Sequence, residues 1–173
     1  MKLQRHALWS MVAAALCVAA PAFADGAAAP AAPAGSAHVS AYVKPHITHE
    51  KYGTLKVVVP LVSDMPAVRG MKLRNVANAI KATEVWGGKM DVKIVMYAKG
   101  VAWLAHPDDK EKATIDALRA HGVQFVVCNN SLIEQGIDFH TLYGVKDADI
   151  VPSGFAEVAF LQARKHYVVD PAM

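Results

Sequence analysis

Gly122-Val123-Gln124-Phe125-Val126-Val127-Cys128-Asn129-Asn130-Ser131-Leu132 is the stretch that decides how the chain is read. Its apolar run is β-branched and aromatic and too short for a useful helix, which makes it a buried strand. The polar cluster Asn129, Asn130 and Ser131 then opens a helix. One thiol therefore stands at the carboxyl end of a strand. In open α/β sheets ligands and reactive groups collect at that rim, and a following helix aims free backbone N–H groups at an anion there.

Upstream, residues 55–62 are Val-rich and almost continuously apolar, as a strand covered on both faces should be. Pro60 removes a ladder donor and is expected to weaken or bulge the pairing from that point. Ser63-Asp64-Met65-Pro66 makes the next loop. Leu73, Val76, Ala77 and Ile80 recur at helical spacing within 70–86, and Gly87-Gly88 stops that helix. Residues 91–98 form a second Val/Ile-rich strand, 100–104 a short helical turn, and Pro107-Asp108-Asp109 the start of a helix that ends near His121-Gly122.

Downstream, a short helix over 131–135 breaks at Gly136, and 138–143 forms another turn. A brief fourth strand covers 149–151. Ser153 caps a helix over 154–165 that places Phe155, Val158 and Ala159 inward, and 167–169 is a last strand. Strand and helix alternate throughout without internal repeats. The expected fold is a three-layer α/β/α sandwich around a mainly parallel sheet of about five strands.

The amino end reads differently. Lys2 and Arg5 precede the apolar run 7–20, and Ala22-Phe23-Ala24 has the small-x-small pattern of a cleavage site, so 1–24 is expected to be a secretory signal removed after Ala24. That run is shorter than the roughly 20 residues that cross a bilayer, so no membrane span is expected after cleavage. The mature protein is then periplasmic. Leu16 ahead of Cys17 argues against lipidation.

Of 18 Lys and Arg residues two lie in that segment, so 16 remain against 15 acidic ones, and no basic stripe is left to bind nucleic acid. Cys17 also leaves with it, making Cys128 the single cysteine and excluding an intramolecular disulfide. Residues 25–37 are Ala, Pro and Gly-rich and read as a tether. His38, His46 and His49 follow, but their spacing fits no compact zinc motif and Pro45 prevents a helix from aligning them, so the lead-in over 25–50 is read without a metal. Residues 51–173 form one domain.

Four places in order resemble the DsrE/DsrF-like sulfur-relay proteins: Lys56-Val57-Val58-Val59, Lys99-Gly100-Val101 with Leu104, the 122–132 stretch, and Val151-Pro152-Ser153-Gly154 through Tyr167 to Pro171. The resemblance spans 55–171 and points to the single-domain secreted branch. It implies a small α/β/α domain that assembles into homo-oligomers, often trimers or hexamers, with no cofactor. It also implies that the cysteine, here Cys128, carries a persulfide between a sulfur donor and an acceptor.

That chemistry requires a thiolate. Amides at a helix start lower a thiol pKa from about 8.5, and Asn129, Asn130 and Ser131 would cap the helix and donate to the sulfur without adding charge. Asp64 shares the same rim if the sheet is parallel, although such an Asp commonly just closes a turn. His106, after the second strand, is a candidate to line the cleft, with His140 behind it. Gly154 permits close packing at a helix start and, with Pro152 and Ser153, would offer amides to an anion. Trp86 and Trp103 read as core or subunit-contact residues. The rival to a sulfur carrier is a non-catalytic oligomer of the same fold that binds a small ligand or partner, with Cys128 a small buried hydrophobe. A glycine-rich phosphate cradle and a Gly-x-Ser-x-Gly elbow are both missing from the sequence, which disfavours nucleotide binding and hydrolase chemistry.

Overall fold

The structure is a computed structural model that describes residues 42–170. The expected signal segment and cleavage site, the expected tether and His38 lie outside the described residues. Residues 42–44 are exposed and fall outside the compact unit that begins at Pro45.

Five parallel strands make one sheet in the order β4-β3-β2-β1-β5: β1 (Thr54–Leu61), β2 (Lys89–Met96), β3 (Gln124–Cys128), β4 (Ile150–Val151) and β5 (Val168–Val169). The connecting helices are α1 (Pro66–Val85), α2 (Asp109–Ala120), α3 (Asn129–Gln135) and α4 (Gly154–Lys165), and a 3-10 helix spans Ala98–Ala105. The expected α/β sandwich is the observed one. Topology sets the layers. From β1 to β2 to β3 the chain steps in one direction, while α4 carries it from one sheet edge to the other. Right-handed crossovers therefore put α1 and α2 on one face and α4 on the opposite face.

Burial follows this division. Val59 and Leu61 of β1, Ile94 and Met96 of β2, and Phe125 and Val127 of β3 meet Leu73, Val76 and Ile80 of α1 and Ile115 and Leu118 of α2 in the larger core. The alternate positions Val58 and Val95 meet Leu161 and Tyr167 in a thinner layer beneath α4. A helix tie reinforces the larger core: Asp108 and Glu111 form a capping box at the start of α2, with Asp108 Oδ1 accepting from the Glu111 amide at 2.7 Å. Glu111 also pairs with Arg69 of α1, whose Nε donates to it at 3.1 Å.

Three expectations change. Pro60 does not weaken β1, which stays in register with β2 through Leu61↔Met96. Val58 O accepts from Asp170 N and Leu61 O from Tyr97 N, so even-numbered residues of β1 turn their amides toward β5 and odd-numbered ones toward β2. Pro60 thus lacks an N–H only where β5 has already ended. Phe155 and Ala159 do not face inward: Phe155 is 72% exposed, and Gly154, Val158 and Leu161, at i, i+4 and i+7, make the packed stripe of α4. Finally, α1 begins a turn before Gly70, because Pro66 is suited to the first helical position.

Candidate functional site

The carboxyl rim of the sheet is formed where Leu61, Met96, Cys128 and Val151 end their strands. From β3 the chain turns into α3, whose Leu132 belongs to the larger core, whereas from β4 it turns into α4 on the other face. Adjacent strands whose exits diverge to opposite faces open a crevice between them, the usual ligand position in such sheets. Cys128 ends β3 at that divergence, beside Val151.

Cys128 is itself the N-cap of α3, and the residue is 4% exposed. Burial alone pushes its thiol pKa up, yet the pKa is lowered overall, because the Ser131 hydroxyl and the backbone amides of Gly154, Ser131 and Asn130 favour the anion more strongly. These groups belong to the starts of two helices, α3 from the same strand and α4 from the neighbouring one. All of them are uncharged. The sulfur is thus buried against hydrogen-bond donors and not only against hydrocarbon.

Each donor is placed by its own local reason. Ser131 Oγ accepts from Ala98 N at 2.8 Å, so the hydroxyl proton is left to point elsewhere, toward the sulfur. Ala98 has φ 48°, a left-handed conformation that costs a non-glycine residue on the order of 1 kcal/mol or more. Gln135 holds it from the same helix, donating Nε2 to Ala98 O at 2.8 Å. Asn130 N also donates to Pro152 O at 3.3 Å, which stitches the start of α3 to the chain between β4 and α4. Ser153 caps α4, and Gly154 brings that helix start down onto the rim. A methyl group there would lie 2.8 Å from Tyr97 Cβ and 3.2 Å from Cys128 Cβ.

Of the candidates read from sequence, Cys128, Asn130, Ser131 and Gly154 therefore converge. Asn129 opens α3 and is exposed, and none of the three polar residues caps the helix, since Cys128 takes that position. Pro152 contributes a carbonyl where an amide was considered. Asp64 is exposed in the loop after β1, and its backbone carbonyl accepts from Arg69 Nη1 at 2.9 Å. His106 is exposed at the end of the 3-10 helix, and His140 bonds Asp138 at 2.7 Å and stacks on Phe139. Neither histidine is among the sulfur's partners. His49 packs edge-on against Trp86, ring centroids 4.5 Å apart, and Trp103 is buried under the Arg69 guanidinium. Among the described residues no three His, Cys, Asp or Glu side chains converge as a metal site would require. The sequence places Tyr97 and Ala98 in the second strand, but that strand ends at Met96 and Ala98 turns left-handed into the 3-10 helix, a conformation that an alanine does not signal.

A family model described as DsrE/DsrF-like matches residues 56–171. The chain belongs to the DsrE/DsrF-like family. A solved structure of a protein of unknown function from Methanobacterium thermoautotrophicum is similar in fold, with TM-score 0.57 and 24% identity over 67% of this chain and 97% of that one. A conserved protein of unknown function from Bacteroides thetaiotaomicron matches at TM-score 0.49 and 15% identity, over 66% of this chain and 91% of that one. No curated protein matches. Within this DsrE-like chain, the matched span contains the whole Cys128 cradle.

Proposed function

We propose that this DsrE-like protein is an exported sulfur carrier in which Cys128 holds sulfane sulfur as a persulfide, working as a homo-oligomer between a donor and an acceptor. The observation that carries the reading is the set of four neutral donors around a single thiol at the sheet rim, which lowers its pKa despite burial. A thiolate is the reactive form of cysteine, so donors that favour the anion keep Cys128 in the form that attacks a sulfane sulfur.

The chemistry balances without an outside oxidant. With thiosulfate as donor, the Cys128 thiolate attacks the outer sulfur, a Cys–S–S bond forms, and sulfite leaves with the electron pair of the broken S–S bond. An acceptor thiolate then attacks the terminal sulfur and Cys128 departs as a thiolate. Incubation with thiosulfate or polysulfide, followed by intact-mass measurement, tests this: a one-sulfur increase absent from Cys128→Ser supports it. A wild-type mass that stays unchanged in both donors overturns it.

The burial of Cys128 favours a second reading, a structural thiol in a non-catalytic binding protein of the same fold. Under that reading the native thiol stays inert to small electrophiles until the domain unfolds.

A further inference from the structure

A cavity of about 730 Å³ opens beside the amino half of β3, away from the Cys128 end of that strand. Strand pairing explains why it is there. On its outer side β3 is matched by β4 only at Val127 and Cys128, so the edge over 124–126 has no strand partner. The chain ahead of β4, from Gly144 to the 3-10 turn Asp147–Asp149, passes alongside without closing the gap, and Arg119 at the end of α2 adds a further wall.

Arg119 is held in place there without being neutralised. Its guanidinium carbon lies 5.1 Å from the Phe125 ring centroid, a cation–π position. Gly144, at φ 66°, makes the room, since a Cβ on it would collide with Arg119 Nη1. Nη2 donates to the Tyr143 carbonyl at 3.4 Å, a long bond. Asp116, one turn back on α2, accepts from the Tyr143 hydroxyl at 2.7 Å, and no carboxylate pairs with Arg119 among the described residues. A half-buried guanidinium is thus fixed with most of its planar donor fork unused, and that fork matches a carboxylate in two parallel bonds. Lys146 lines the same cavity, as does Asp149, whose Oδ2 accepts from Lys146 N at 2.9 Å. Two cations against one carboxylate leave the lining one positive charge in excess.

We propose that this cavity binds a small organic monocarboxylate, its carboxylate on the Arg119 fork beside Lys146 and its body along Val126 and Ala148. The volume falls in the range of small-molecule pockets, about 300–1,000 Å³, and a few fixed polar groups among apolar ones is how such sites are built. The head group follows from charge. One negative charge balances the lining, a neutral head leaves the half-buried guanidinium uncompensated, and a dianion brings a second negative charge up to Asp149.

Titrating the full chain with sodium benzoate, benzamide and phenyl phosphate, followed by amide NMR, tests the site. Benzoate should give saturable shifts centred on 122–126 and 144–149, with benzamide at least about tenfold weaker, a difference of about 1.4 kcal/mol, and phenyl phosphate no tighter than benzoate. Arg119→Lys keeps the charge but loses the fork and should weaken benzoate about tenfold or more. Lys146→Gln, at an exposed position that does not endanger folding, should weaken it about twofold to fivefold, so the test stands even if the Arg119 variant fails to fold. Benzamide binding as tightly as benzoate, phenyl phosphate binding more tightly, shifts that do not saturate, or Lys146→Gln binding like wild type would each overturn the assignment. So would concentration-dependent shifts of the same amides without probe, the sign of a second copy pairing along the β3 edge. None of these outcomes bears on Cys128.

Discussion

Gly154→Ala tests whether the cradle depends on the close approach of α4. The added methyl would sit 2.8 Å from Tyr97 Cβ, 3.0 Å from Tyr97 Cδ1 and 3.2 Å from Cys128 Cβ. Two of these atoms are Cβ carbons fixed to backbone, so they cannot swing aside, and the start of α4 must lift. Replacing Gly by Ala at a position that tolerates it gains about 0.4–1 kcal/mol through the unfolded chain. Overpacking of a tight site costs typically about 1–3 kcal/mol. The cost wins. Urea unfolding followed by circular dichroism should show a net loss centred on about 1.3 kcal/mol, the difference between the middles of those two ranges. The same lift withdraws the Gly154 amide from the sulfur, so the thiol pKa should rise relative to wild type, read from the pH dependence of its ultraviolet thiolate absorbance. A variant as stable as wild type with an unchanged thiol would refute the packing argument and the role of α4 together.

Ser131→Ala should raise the Cys128 pKa through loss of the hydroxyl and should loosen Ala98, seen as faster amide exchange at Ala98 by hydrogen-exchange NMR; an unchanged thiol would remove Ser131 from the cradle. Pro60→Ala should cost only about 0.4–1 kcal/mol by urea unfolding, the entropy given back to the unfolded chain, because no ladder bond is at stake; a loss well above that would show that β1 pairs differently. A thiol whose folded pKa is lowered contributes stability that is present above its unfolded value, about 8.5, and is lost as pH falls through the folded value. The stability of wild type relative to Cys128→Ala should therefore grow as pH rises through that window, and a difference that shrinks would contradict the direction assigned here.

Much of this architecture was legible. Alternating Val-rich runs and helical spacings predicted the parallel sheet, and Asp108 and Ser153 marked their helix starts by chemistry that acts within a few residues. Cys128 at a strand end was legible for the same reason. What escaped depended on distant parts of the chain. Whether Pro60 disturbs its strand is decided by where β5 stops, more than a hundred residues later. The inward face of α4 is set by the phase that seats Gly154 on Tyr97, which overrode the hydrophobicity of Phe155. The partnership of Ser131 with Ala98 needs a left-handed residue that no local motif announces, and the pairing of Lys72 with Asp170 joins α1 to the end of β5 across 98 positions.

The central claim is that Cys128 is an activated thiol that can be reached in the folded protein. Alkylation by iodoacetamide, measured against pH on the native domain and on the chain unfolded in urea, addresses it directly. The account predicts that the native thiol reacts without global unfolding and that its rate rises at lower pH than that of the unfolded chain. A native thiol that reacts only as fast as the domain unfolds, or whose rate rises at the same or a higher pH than the unfolded one, would contradict it.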